Sequence, residues 1–154
     1  MFILSGDWDS TDNPHAVSEA HKKYGAYLLK NKEVFPVSAY EFSMADWHHN
    51  YRDHKALHDS WLESIEVIES GRNDERTCDI KVRLLGAFHD GHLVLLYKGV
   101  KSYQVGSSAS EHTAINRDEV RLSDSGYVLH EIQWWQSFSW LIECEDIFFE
   151  WQSI

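Results

Sequence analysis

Cysteine is nearly missing from this chain, and with it one class of small fold. Cys78 and Cys144 are too few for a disulfide framework and share no short metal-binding spacing. Positive charge is also scarce: 14 Lys plus Arg stand against 25 acids, a formal net charge of −11. A surface of that sign repels phosphate backbones and anionic headgroups, so nucleic acid and membrane are excluded as expected partners and a basic protein is favoured. No apolar run approaches the roughly 18 residues of a membrane span. The start, Met1-Phe2-Ile3-Leu4-Ser5-Gly6-Asp7, lacks the basic region of a signal peptide, and a cytoplasmic location is expected. Glycine-rich phosphate loops, nucleophile elbows and paired-cysteine zinc patterns do not occur.

Rings are abundant by contrast, with seven each of Trp, Tyr and Phe. Hydrophobic residues at 43% and charged residues at 25% are ordinary globular usage, so a folded chain is expected rather than a disordered one. Residues 1–154 suit one domain, able to bury roughly 70% of its unfolded surface. It divides into a mainly helical part, 1–56, and a β part, 57–154.

Asn13 and Pro14 open a helix expected to run to Lys30, with Val17, Ala20, Tyr24, Tyr27 and Leu28 as its apolar stripe. A second is expected from Pro36, where Val37, Tyr40, Met44, Trp47 and Tyr51 recur every three or four residues. From Trp61 the period becomes two: Trp61, Ile65 and Val67, then Ile80, Val82 and Leu84. Asp90-Gly91 has the composition of a two-residue type I′ hairpin turn before a strand from Leu93 to Tyr97, and Gly99 suggests a kink. Gly106 to Thr113 is rich in Ser and Gly. Asp124-Ser125-Gly126 suits a second hairpin between Glu119–Leu122 and Tyr127–Trp135, and two further strands are expected at Phe138–Cys144 and Ile147–Trp151. The expected fold is α+β: two N-terminal helices packed on an antiparallel sheet of about six or seven strands, folded as a sandwich or strongly curved.

Between the helical and strand patterns lies Asp46 to Trp61, which holds His48, His49, His54 and His58 with Asp46, Asp53 and Asp59. Imidazole with carboxylate suits a divalent metal, and on a continuous helix His54 and His58 would share a face with Asp59 beside them, the candidate metal ligands. Against this, the run lacks the His-Glu-x-x-His pattern. At a helix-to-strand junction Asp59 can cap backbone N–H groups while His58 bridges a carbonyl and a carboxylate. As an acid–base pair they have no nucleophile near them in sequence except Ser60. His89 and His92, flanking Asp90-Gly91, would meet across a hairpin end.

The C-terminal stretch mixes rings with acids. Trp134, Trp135, Glu143, Glu145 and Asp146 are the candidate partner-binding residues, rings as anchors and carboxylates as steering charges. Neighbours on a strand face opposite ways, so one of Trp134 and Trp135 points outward unless both faces are covered.

Leu57-His58-Asp59-Ser60-Trp61-Leu62, Leu85-Gly86-Ala87-Phe88-His89-Asp90-Gly91, Tyr97-Lys98-Gly99-Val100-Lys101-Ser102-Tyr103, His130-Glu131-Ile132 and Ile142-Glu143-Cys144-Glu145-Asp146 together resemble a group of small uncharacterised bacterial proteins. The resemblance covers roughly the C-terminal two thirds and implies no activity, cofactor or catalytic residue. In general character the chain is also similar to immunity proteins that neutralise bacterial toxins. The expectation is a binding module for a basic partner, immunity- or antitoxin-like, rather than an enzyme. Self-association through exposed rings and a metal-dependent hydrolase built on the 48–59 cluster are the alternatives.

Overall fold

The structure, a computed structural model, describes residues 3–4, 14–106, 114–135 and 138–154. It is α+β, with two helices and two four-stranded antiparallel sheets. Helix α1 is Pro14–Lys30 and α2 is Val37–Met44. The strands are β1 Trp61–Ser70, β2 Thr77–Leu85, β3 Gly91–Lys98, β4 Ser102–Gln104, β5 Ile115–Leu122, β6 Val128–Trp134, β7 Ser139–Cys144 and β8 Asp146–Ser153. The first sheet runs β1-β2-β3-β8 and the second β4-β7-β6-β5. Eight strands thus replace the six or seven expected, and they divide between two sheets. The cap expected at Asn13 and most of the Gly106–Thr113 stretch lie outside the described residues. Among those described, no helix is long and apolar enough to cross a membrane.

The chain crosses between sheets twice, at Gly99 and at Glu145, and the two corners are bonded together: the Glu145 N–H lies 2.9 Å from the Lys98 carbonyl. Gly99 has φ +60°, and a side chain there would displace the Glu145 side chain, so the expected kink is a corner that favours glycine. Inward residues of both sheets, among them Val82, Leu95 and Tyr97 from one and Ile132, Trp140 and Ile142 from the other, share one apolar core with Leu28 and Phe42 of the helices.

Helix α1 occupies its expected span and buries Ala20, Tyr24 and Leu28. It also closes the edge of the second sheet. The Tyr24 hydroxyl donates to the Val120 carbonyl at 2.7 Å and accepts from the Val120 N–H at 3.1 Å, and the Tyr27 hydroxyl accepts from the Leu122 N–H at 2.8 Å. Two tyrosines therefore satisfy backbone groups that an edge strand would otherwise present to solvent.

Helix α2 stops at Met44, well short of Tyr51, where the expected stripe ends. It buries Ala39, Phe42 and Ser43, whereas Val37 and Met44, the supposed inner face, are exposed. Single turns follow it, with i→i+3 bonds closing at Ala45, His48, Asn50, Asp53, Ala56 and Ser60. The Asn50 and Asp53 side chains accept from the N–H groups of Arg52 and Lys55, the local competition that keeps such residues out of helix interiors. At the other end of α2, Asp146 of β8 supplies the acceptor its N-terminus needs, taking the Ala39 N–H at 3.0 Å.

Two strand expectations need correcting. A bulge between Leu62 and Ser64 turns Trp61 to the opposite face from Ile65 and Val67, and Trp61 is 51% exposed. The β2–β3 connection is not a two-residue Asp90-Gly91 turn. Gly86 N–H bonds the Gly91 carbonyl, His89 carries the positive φ of +57°, and Gly91 begins β3 beneath the Trp151 indole. The Asp124-Ser125-Gly126 turn forms as expected, with Gly126 at φ +80°.

Candidate functional site

Two histidine clusters emerge from the 46–61 run, one buried and one exposed. In the buried one, His48 is held between α2 and β5: Nδ1 lies 3.0 Å from the Phe42 carbonyl and Nε2 2.6 Å from Asp118 Oδ2. Both ring nitrogens face oxygen acceptors. The same Asp118 oxygen receives His130 Nε2 at 2.9 Å, and His130 Nδ1 meets the Tyr97 hydroxyl at 2.8 Å. The chain reads Tyr97 O–H to His130 to Asp118 to His48 to the Phe42 carbonyl, every polar group satisfied.

Burial alone would raise the Asp118 carboxyl, but the charge of His48 and the hydrogen bonds from His130 and His48 hold it well below its ordinary value. Burial lowers His130 despite Asp118. His49 is pushed to about 3 by burial and then by neighbouring His48, against the pull of Asp118. His49 forms part of a cleft of about 260 Å³ with His21, Ser43, Asp46 and Asn50.

Among the described residues, His48, His49 and Asp118 have ligand atoms within 4.8 Å of one another. Their ring geometry does not suit a metal. The His48 and His49 rings stack with centroids 4.2 Å apart and planes 13° apart. A metal lies about 2.0–2.1 Å from its nitrogen, in the ring plane, and two stacked, nearly parallel planes cannot both contain it. The cluster ties α2 and its following turns to both sheets.

The exposed cluster lies where the 45–60 turns pass over the end of both sheets. His58 Nδ1 is 2.6 Å from the carbonyl of Asn116, the extra residue of a bulge in β5. Nε2 stands 3.4 Å from Asp59 Oδ2, and Tyr51 stacks on the ring at 4.1 Å. His58 is thus hydrogen-bonded to a carbonyl, while the Asp59 carboxylate stands near but beyond a normal hydrogen-bond length, so only half of the expected junction role is made. Asp59 adopts φ +61°, uncommon for a residue with a side chain, and its Oδ1 accepts the Trp135 indole N–H at 3.0 Å. Ser60 is buried and donates to the Ala56 carbonyl, so it is not poised as a nucleophile for His58.

His54 belongs to a different neighbour. Its Nδ1 is 2.5 Å from Asp90 Oδ2 and its ring stacks on Phe88 at 4.2 Å. The structure thus does not bring His54 together with His58 and Asp59. Nor do His89 and His92 meet: His89 lies edge-on to Trp61 at 4.6 Å, and His92 lies 3.1 Å from Glu63.

The C-terminal candidates also separate. Trp134 is buried and Trp135 is 50% exposed, which settles which of the pair faces out. Asp146 serves the α2 N-terminus and Glu145 pairs with Lys101 at 2.6 Å. Glu143 lies in β7 opposite Leu129 and Ser102. The β6–β7 register puts Trp135 and the 143–146 acids at opposite ends of the second sheet, about 20 Å apart by strand rise.

Trp135 has other company. Its backbone N–H bonds the Ala114 carbonyl, and Ala114 bridges Trp61. Tyr51, His58, Trp135, Asp59, Trp61, His89, Phe88, His54 and Asp90 consequently form one connected end face. Its rings Tyr51, Trp61, Phe88 and Trp135 are all exposed, each against a histidine. Phe88 and the outward turn of Trp61 were not legible as site features, because one follows from a turn and the other from a bulge. No protein-family model, curated protein or solved structure matches the chain.

Proposed function

We propose that this protein is a binding module, immunity- or antitoxin-like in character, whose docking surface is the aromatic–histidine end face and whose partner is a basic protein. The observation that carries the reading is that Tyr51, Trp61, Phe88 and Trp135, four large rings left about half in water, are linked to one another through histidine rings and the Ala114 bridge. Large exposed apolar patches rimmed by polar groups mark interaction sites, and Trp and Tyr are the residues on which binding energy concentrates. Asp59 and Asp90 lie among the rings, and the net charge of −11 steers a cationic protein toward them. This moves the docking surface away from Trp134, Glu143, Glu145 and Asp146 and keeps Trp135.

The test compares wild type with the double variant Trp61→Ser/Trp135→Ser as bait in extract of the source cell, at low and high salt, followed by reconstitution with the purified captured protein. The expected result is one basic protein bound stoichiometrically by wild type, weakened by salt and by the variant. Capture unaffected by the variant overturns the assignment of the surface. Gel filtration of the pure protein tests the occupant: a wild-type dimer made monomeric by the same substitutions would replace the partner with a second copy.

A further inference from the structure

Asp59 is an unusual place for a carboxylate. The residue sits in the left-handed region, between a buried helix-to-strand connection and the exposed Trp135 ring, with its side chain 54% exposed. Strained backbone of this kind persists where surroundings over-determine it. Here the Asp59 N–H bonds the Ile115 carbonyl at 2.8 Å, and the Trp135 backbone N–H bonds that of Ala114 at 3.1 Å. The indole N–H to Oδ1 then locks ring and carboxylate together. Oδ2 is 3.4 Å from His58 Nε2, longer than a normal N–H···O bond, and so keeps acceptor capacity toward solvent.

We propose that Trp135 and Asp59 form a cation-recognition site that takes an arginine side chain of the partner, the guanidinium lying on the indole face with its N–H edge on the carboxylate. The inference rests on the binding-module reading above and specifies the chemistry of one contact within it.

Three features select this ligand. A ring face attracts a cation electrostatically, and Trp does so best. A carboxylate at the ring's edge accepts parallel N–H bonds from a planar guanidinium, a geometry ammonium does not offer. An anionic ligand would meet Asp59 itself and a chain of net charge −11. Because ring and carboxylate are already fixed to one another, binding loses little side-chain freedom on this side of the contact.

Arginine against citrulline, its neutral isostere, is the discriminating comparison. The ¹⁵N-labelled protein is titrated at low ionic strength with acetyl-Gly-Arg-Gly-Arg-Gly-amide and with the same peptide carrying citrulline, following the Trp135 indole N–H resonance, assigned by its loss in Trp135→Phe. The expected result is a saturable shift with the arginine peptide and binding about tenfold weaker with citrulline. Asp59→Asn tolerates the left-handed backbone and retains an acceptor for the indole, and it should weaken the arginine peptide by about tenfold as well. If Asp59→Asn lowers the unfolding midpoint, Trp135→Leu, which keeps the carboxylate, is read through the Asp59 backbone amide and weakens binding about threefold.

Equal response to arginine and citrulline, or indifference to these variants, overturns the proposal. The two failures are distinguishable. Loss of the natural partner in Trp61→Ser/Trp135→Ser, with no preference for arginine over citrulline, leaves the docking face standing and removes only its cation site.

Discussion

At Gly91 the side chain is excluded by an aromatic ring rather than by the backbone. A Cβ there would lie 2.1 Å from Cζ2 of Trp151, a rigid indole packed against the core. Gly25 is the opposite case, in the middle of α1 with nothing within 4 Å of the place a methyl would take. Gly91→Ala should destabilise by about 2 kcal/mol through overpacking. Gly25→Ala should stabilise by about 0.5–1 kcal/mol, the ordinary helix-interior difference. Urea unfolding of both variants reads the two signs, and a neutral Gly91→Ala would mean that Trp151 moves aside freely. The same residue explains why Asp90-Gly91 misleads as a turn signal: the glycine is needed for a ring's approach, while the left-handed position falls to His89.

Among the elements, legibility followed how local the cause was. Helix α1 was legible because its apolar spacing and its proline start act within the segment. Helix α2 was legible at its start, where Pro36 stands before Val37, but not at its end, where Ala45 turns to extended backbone with no glycine or proline to mark it, nor in its N-terminal acceptor, Asp146, more than a hundred residues away. In the candidate site, His58 and Asp59 were visible as a junction, but their union with Trp135 depends on a bulge at Asn116 that no spacing announces. His130 and Asp118 were equally silent, since strand alternation cannot say which inward polar residue finds a partner on another element. The tyrosine closure of β5 is an element-scale device with its own test. Tyr24→Phe/Tyr27→Phe removes the acceptor for Val120 and Leu122 N–H and the donor to the Val120 carbonyl. A cost of about 1–3 kcal/mol is expected at the buried Tyr24 site. Hydrogen exchange should show the Val120 and Leu122 amides losing protection first, while amides of the first sheet's central strands keep theirs. Uniform loss across both sheets would mean that the hydroxyls support the whole core rather than that edge.

For the molecule as a whole, the buried histidine network makes stability depend on pH. His49 is lowered from 6.5 to about 3, and His130 is lowered too, so the unfolded chain takes up protons that the folded one refuses. Their contribution is complete well above pH 6.5 and falls as pH drops through it, with a limiting slope of about 1.4 kcal/mol per pH unit for His49, whose folded value lies far below. Asp118, held well below 3.8, adds a loss of the same sign further down, as the unfolded carboxyl begins to protonate. Glu119, which burial raises above its ordinary 4.5, works the other way as pH nears the carboxylate range, so the interval from about pH 7 to about 5.5 isolates the histidines. Urea midpoints should fall across that interval, and His49→Gln should flatten the mean slope there by about 0.8 kcal/mol per pH unit. Asp118→Asn is the harsher change. It replaces the buried carboxylate oxygen that both His48 and His130 meet with a neutral amide, and loss of hydrogen bonds to a charged acceptor costs about 1.5–3 kcal/mol each. A stability flat across the same interval in wild type would show that His49 and His130 are protonated in the fold. Hydrogen bonding to Asp118 would then have outweighed burial.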